Sequence, residues 1–278
     1  EAWVMPLSRM ATWVRPDEYH QTFNFAFLET PWDKQKLQDV IDESIEEFSN
    51  VGAPPTWVLS NHDVIRHATR LSYDQVPKQG DGIGPDYEQP DEAKGLRRGR
   101  AASALMLGLP GGAYVYQGEE LGLPEHTTLE GSVRQDPTYF RTNGERVGRD
   151  GCRVPIPWAA SEPAFGFNAT GESWLPQPES FKTYARAAQE GVVGSTLELY
   201  KSLLQVRKQY ALGHGSLQWR NDLVPAGAFA YQNGQVLVVV NFTNEPFGLP
   251  AGELLVTTQL GLAAEGHLEA DQVAWIRA

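Results

Sequence analysis

Three polar side chains in a row, Asn61, His62 and Asp63, follow directly on the apolar run Trp57-Val58-Leu59. All three can hydrogen-bond, and two of them titrate. Placed just past the end of a buried strand, they would point into a mouth rather than a core. The alternative is a loop cap in which Asp63 caps the next helix, a position where Asn, His and Asp are common. A second carboxylate-rich stretch, Tyr116-Gln117-Gly118-Glu119-Glu120, follows the next apolar run, and a long loop holds Gly148-Arg149-Asp150-Gly151-Cys152-Arg153 before Val154-Pro155-Ile156-Pro157-Trp158. The chain opens on Glu1-Ala2-Trp3. Carboxylates, an imidazole and arginines spread over several strand ends suit acid–base chemistry or the grip of a polar ligand.

Composition narrows the classes. With 278 residues, the chain can build a large core and a second small domain. A net charge of −12 leaves no basic excess for nucleic acid. The one basic cluster, Leu96-Arg97-Arg98-Gly99-Arg100, reads as a solvated helix face. Cys152 is the single cysteine, so an intrachain disulfide is excluded, and the composition is compatible with a reducing, cytoplasmic setting. No apolar run approaches membrane-spanning length, and no signal-peptide pattern is present. The opening at Glu1 resembles an interior cut through a longer protein. No Asp/Asn cluster reads as a calcium loop, the stretch 81–91 being broken by Gly and Pro, so no metal site is assigned.

The elements that must position these groups follow from periodicity. Phe23, Phe25 and Phe27 alternate with polar or small residues, which predicts a strand over His20–Leu28. Leu37, Val40, Ile41, Ile45 and Phe48 recur at helical steps from Asp33 to Phe48, and Gly52-Ala53-Pro54-Pro55 ends that helix. A buried parallel strand is expected at Thr56–Leu59, a polar loop at Tyr73–Pro90, a helix at Glu92–Leu107 and a strand at Ala113–Tyr116. This is the grammar of parallel β/α units, in which active sites lie at the C-terminal ends of strands. Three strands stand where a closed barrel needs eight, so the fold class is α/β, the second half of a (β/α)8 TIM barrel. A long inserted loop spans 121–194, and such insertions usually carry function. A helix follows over Ser195–Ala211. Residues 1–213 form the barrel part. Residues 214–278 change to short β-rich runs with turns such as Asn233-Gly234, a small antiparallel β-sandwich domain.

Taken in order, Glu1-Ala2-Trp3, Asn61-His62-Asp63, Tyr-Gln-Gly-Glu-Glu at 116–120 and Arg-Asp-Gly-Cys-Arg-Val-Pro at 149–155 resemble the α-amylase superfamily, glycoside hydrolase family 13. Within it they resemble the α-glucosidase and oligo-1,6-glucosidase branch. The likeness runs over essentially the whole chain. It implies a retaining glycoside hydrolase that removes glucose from the non-reducing end of short α-glucosides, maltose- or isomaltose-type. That mechanism needs two carboxyl groups roughly 5–5.5 Å apart, with negative charge held near an oxocarbenium-like transition state. The resemblance makes Glu1 the acid/base and Asp63 the aspartate that steadies the transition state. It makes His62 a ligand of sugar hydroxyls and Arg149 the arginine that closes the pocket over the non-reducing end. It implies no cofactor, and as partner only the small α-glucoside, with no nucleic acid or membrane.

Each assignment has a structural counterpart. His62 can be a satisfied core histidine, and Arg149 can pair with Asp150 or Glu120 to hold the loop. Arg153 is expected to brace that loop, Glu119 and Glu120 to fix it by ion pairing, and Cys152 to be a buried structural thiol. Phe23, Phe25 and Trp3 either line the leaving-group side or belong to the core. The family's nucleophile lies on the strand before Glu1, so the 278 residues alone are expected to be inactive and aggregation-prone. The alternatives are a sucrose- or trehalose-converting transglycosylase or isomerase of the same family, and a non-catalytic relative that keeps the barrel as an interaction module.

Overall fold

The computed structural model describes residues 1–75, 77–78, 80–259 and 266–277. Residues 76 and 79, within the expected polar loop 73–90, lie outside them. The chain divides into two compact units. One comprises Glu1–Leu59, Ala101–Tyr114 and Lys201–Ala278, the other Ser60–Arg100 and Val115–Tyr200.

In the first unit, Asp33 caps the helix Lys34–Asn50 by accepting from the Lys36 N–H at 2.9 Å. The helix buries Leu37, Val40, Ile41 and Phe48, the face that the sequence spacing marks. Strands β1 (Thr56–Val58) and β2 (Gly112–Tyr114) pair in parallel, Thr56 opposite Gly112 and Val58 opposite Tyr114. Both are shorter than their apolar runs. The expected strand at 20–28 is instead helical over Phe25–Glu29. Asn24 decides this: its side chain accepts from the Phe27 N–H at 3.0 Å and donates to the buried Ser44 hydroxyl at 2.8 Å. Phe25 stacks on Trp3 at 4.3 Å and Phe27 meets Trp57 edge-on at 5.1 Å, so two rings two residues apart find separate pockets without a strand.

The same unit holds β3 (Leu217–Trp219), β4 (Ala228–Asn233), β5 (Val236–Asn241), β6 (Phe247–Gly248), β7 (Glu253–Thr257), β8 (His267–Leu268) and β9 (Gln272–Arg277). Five of these make an antiparallel sheet in the order β3-β4-β5-β9-β7, while β6 and β8 pair separately. Residues of β5 are buried throughout, because the sheet is covered on both faces. Ala230, Leu237, Val239, Leu268, Ala274 and Ile276 form one cluster. Tyr231 and Trp275 donate to the carbonyls of Leu105 and Ala104, at 2.6 and 3.1 Å.

The second unit contains the whole of the long insertion 121–194, which is far from structureless. It is a series of single turns and short helices: Gly131–Val133, Pro137–Arg141, Asp150–Arg153, Pro163–Gly166, Glu179–Tyr184 and Arg186–Gln189. They wrap an apolar cluster of Leu121, Leu123, Leu129, Val154, Leu175, Phe181 and Leu197. The basic cluster at 97–100 lies on the helix Glu92–Gly108 as expected, but it is not a solvated face. Arg100 is buried and donates to the Thr196 hydroxyl at 3.0 Å, and Arg98 reaches the Leu71 carbonyl at 3.3 Å. Gly95 and Gly99 explain the difference, since the segment at Ala68 packs directly on their backbone. Among the described residues, no helix is long and apolar enough to cross a membrane.

Candidate active site

Asn61 opens the site by making a turn rather than by facing a ligand. It is buried, and its side-chain oxygen accepts from the Asp63 N–H at 2.8 Å. The turn leaves His62 exposed and Asp63 about a third exposed, with His62 Nε2 3.4 Å from Asp63 Oδ2. The adjacent Ser60 hydroxyl accepts from the His67 N–H at 2.9 Å and lies 3.0 Å from His67 Nδ1. Burial first, and then the charge of Arg70, push the His67 imidazole down to about 3, so it is a neutral structural histidine.

Two arginines converge on Asp63. Arg149 Nη1 and Arg153 Nη2 each donate to Oδ1 at 2.7 Å. Arg153 also donates through Nε to the His62 carbonyl at 2.7 Å, so one side chain holds both the backbone and the carboxyl of this segment. The expected partners of Arg149, Asp150 or Glu120, are not the observed ones. Its other face is taken by Asp136, whose Oδ2 accepts from Arg149 Nε at 2.7 Å and from the Arg149 N–H at 2.8 Å. Arg149 Nη2 lies 3.3 Å from Asp136 Oδ1. Burial pushes the Asp136 carboxyl up, but the hydrogen bonds from Arg149 and Thr138 outweigh it and hold the group well below the usual carboxylate range. Hydrogen bonding to Asp136 in turn raises Arg149 above its ordinary value.

The supporting contacts explain the Arg-Asp-Gly-Cys-Arg spacing. Asp150 Oδ2 accepts from the N–H groups of Gln135 and Asp136, at 2.9 and 3.0 Å, which fixes the backbone that carries Asp136. Gly148 has φ +76, and a Cβ there would stand 2.9 Å from the Asp136 side chain, so the close approach requires glycine. Arg66 links the loops by donating to the carbonyls of Gln117 and Cys152, each at 2.9 Å. Its own N–H donates to Glu125 at 2.9 Å, and burial pushes the Glu125 carboxyl up to about 7. Cys152 is buried, its thiol 3.1 Å from the Arg149 carbonyl. Of the two glutamates expected to pair, Glu119 faces His67, its Oε1 4.0 Å from Nδ1, and both groups are buried. Glu119 is buried, accepts from Tyr200 at 3.3 Å and is pushed up by burial to about 8, while Glu120 accepts from the Gly118 N–H at 2.8 Å.

The structure therefore brings His62, Asp63, Arg149 and Arg153 together. Glu1 belongs to the first unit, where it is exposed; Trp3, two residues on, stacks on the buried Phe25. Phe25 is core, whereas Phe23 is half-buried and edge-on to Tyr114 at 4.5 Å. The sequence reading missed Asp136, Arg66 and Glu125. Asp136-Pro137 carries a helix-cap signature, and Asp136 does cap Pro137–Arg141 through the Thr138 N–H at 2.9 Å. Nothing local in that signature announces a partner thirteen residues on. No group of three His, Cys, Asp or Glu residues able to hold a metal occurs among the described residues.

A carboxylate gripped by two guanidiniums beside an exposed imidazole can accept and donate hydrogen bonds to a polar ligand. The family model for the α-amylase catalytic domain matches residues 1–215. The chain belongs to the α-amylase superfamily, glycoside hydrolase family 13. It is 33% identical over 235 residues to a probable alpha-glucosidase of Rhizobium meliloti, covering 82% of this chain and 38% of that protein. It is 26% identical over 275 residues to an oligo-1,6-glucosidase of Parageobacillus thermoglucosidasius, covering 89% of this chain and 44% of the other. Among solved structures, the alpha-glucosyl transfer enzyme XgtA matches with a TM-score of 0.71 at 27% identity, over 98% of this chain and 49% of that one. The chain thus spans less than half the length of these relatives.

Proposed function

We propose that residues 1–278 form part of a retaining α-glucosidase that releases glucose from the non-reducing end of short α-glucosides. In this reading Asp63 holds negative charge against the oxocarbenium-like transition state and His62 hydrogen-bonds the sugar hydroxyls. Arg149 closes over the terminal glucose, and Glu1 protonates the leaving oxygen and later activates water. The nucleophilic carboxylate comes from sequence outside residues 1–278, and these residues by themselves are inactive. Residues 1–213 contribute the second half of a barrel with the long inserted loop 121–194, and 214–278 a C-terminal β domain. The observation that carries the reading is the Asp63 carboxylate gripped by Arg149 and Arg153 beside His62, at the positions the family motifs mark.

The test is Asp63→Asn in the enzyme that carries these residues together with its nucleophile. The amide keeps the shape and removes the charge, so kcat on maltose should fall by at least about 10²-fold with little change in the melting temperature. An unaffected rate removes Asp63 from the chemistry, and no turnover in the unsubstituted enzyme favours the non-catalytic alternative. A second reading, glucosyl transfer, is favoured by the likeness to XgtA. Hydrolysis and transfer share the covalent intermediate and differ in whether water or a sugar intercepts it. Product analysis after incubation with maltose and with sucrose separates them: free glucose marks the first, new disaccharides or trisaccharides the second.

A further inference from the structure

Arg149 and Arg153 meet the same oxygen of Asp63, yet they are anchored differently. Arg153 directs its side-chain hydrogen bonds to the 62–63 segment itself. Arg149 is anchored from outside that segment. Asp136 takes its Nε, its Nη2 and its backbone N–H, which leaves Nη1 as the one group directed at Asp63. The Asp136 side chain has no exposure to water, while Arg149 is about a third exposed. A planar guanidinium held fork-to-fork by a buried carboxylate cannot rotate about its Cδ–Nε bond without breaking two charge-assisted hydrogen bonds. The anchor is itself fixed, because Thr138 donates to Asp136 Oδ1, Asp150 holds the Asp136 backbone and Gly148 admits the close approach.

We propose that Asp136 is a positioning residue of this site, which orients the Arg149 guanidinium so that Nη1 presents to Asp63 and to the terminal sugar bound there. The inference rests on the reading of Asp63 and Arg149 given above. When Asp63 turns its oxygen toward a sugar hydroxyl, Arg153 keeps only its bond to the His62 carbonyl. Arg149 keeps its place, because its place is set by Asp136. Asp136 touches no substrate; it acts through Arg149. Burial alone would favour its neutral acid, but the hydrogen bonds to Arg149 and Thr138 keep it ionised, which the fork requires.

Asp136→Asn in the complete enzyme removes the charge and one acceptor at constant shape. The expected result is a KM for maltose raised about tenfold or more, with kcat changed less than about threefold, the split produced by a loosened binding group. Combined with Arg149→Lys, which already destroys the fork, Asp136→Asn should add less than about twofold, because the two residues act as one unit. A lowered melting temperature with KM unchanged, or fully additive effects in the double variant, overturns the proposal. If the Asn variant does not fold, Asp136→Glu carries the test: one extra methylene displaces the fork by about 1 Å, and KM should rise at least about threefold. An unchanged KM there also overturns it. Asp63→Asn is measured alongside. If that variant keeps its turnover, the role given to Asp63 at this site fails; if it loses turnover while the Asp136 variants keep their KM, only the positioning role fails.

Discussion

Arg153 grips Asp63 at two levels, its Nη2 on the carboxyl and its Nε on the carbonyl of the residue before it, both at 2.7 Å. A single planar side chain therefore sets both the path of the His62-Asp63 backbone and the rotamer of the acid.

Arg153→Lys should accordingly be far from conservative. Lysine supplies one charge but no fork, so it can satisfy the carboxyl or the carbonyl and not both. The expected outcome is a fall in kcat/KM of up to about 10²-fold on short α-glucosides, at nearly unchanged stability. Steady-state kinetics beside a thermal melt checks it, and wild-type activity in the lysine variant would remove Arg153 from the account.

Gly95→Ala inverts the usual rule for helices. Alanine in a helix interior ordinarily gains roughly 1 kcal/mol over glycine. Here the added Cβ would lie 2.1 Å from the Ala68 carbonyl oxygen, and that backbone oxygen has no rotamer to yield. Overpacking costs typically about 1–3 kcal/mol and should win. A lower urea midpoint is the expected reading, and a stabilised variant would show that the two segments separate easily.

Stability should fall toward alkaline pH because of Glu119. Its carboxyl is raised from an ordinary 4.5 to about 8 by burial. The folded state therefore holds a proton that the unfolded chain gives up. The contribution is complete below about pH 4.5 and is lost as pH rises through about 8. Glu125, raised to about 7, acts in the same direction. His67 acts oppositely: its neutral form contributes above about pH 6.5, and that contribution is lost as pH falls toward about 3. Glu119→Gln keeps an acceptor for Tyr200 and cannot ionise. It should flatten the decline of the urea midpoint between about pH 5 and 8.5, and an identical slope in the two proteins would contradict the assignment.

Cys152 should behave as an inert thiol in the folded protein. It has no exposure, and burial pushes its thiol well above the ordinary range, so very little thiolate is present to react. Labelling by an aromatic disulfide reagent at neutral pH should be negligible until denaturant is added, and then reach one equivalent per chain. Rapid labelling under native conditions would mean that the loop at 149–153 opens readily.

Much of this architecture was legible in the residues. The helices at 34–50, 92–108 and 196–209 and the C-terminal strands follow apolar periodicity, which depends only on the order of side chains along the chain. The strand-end triad Asn61-His62-Asp63 and the Arg-Asp-Gly-Cys-Arg loop were visible because their chemistry is packed into a few consecutive residues. The aromatic alternation at 23–27 misled for the same reason. Period two describes a strand only if a sheet receives it, and the Asn24–Ser44 hydrogen bond, between residues twenty positions apart, gave those rings somewhere else to go.

The sequence by itself determined the family, most of the local elements and the short motifs, since these rest on propensity, periodicity and neighbouring residues. Tertiary structure alone decided the partners. It chose Asp136 over Asp150 or Glu120 for Arg149, buried Arg100 where a solvated face was expected, and buried Glu119 against His67 and Tyr200, which raises its carboxyl. The physical reason is that pairing and ionisation depend on distance and on the loss of water, and both are fixed by how distant segments pack.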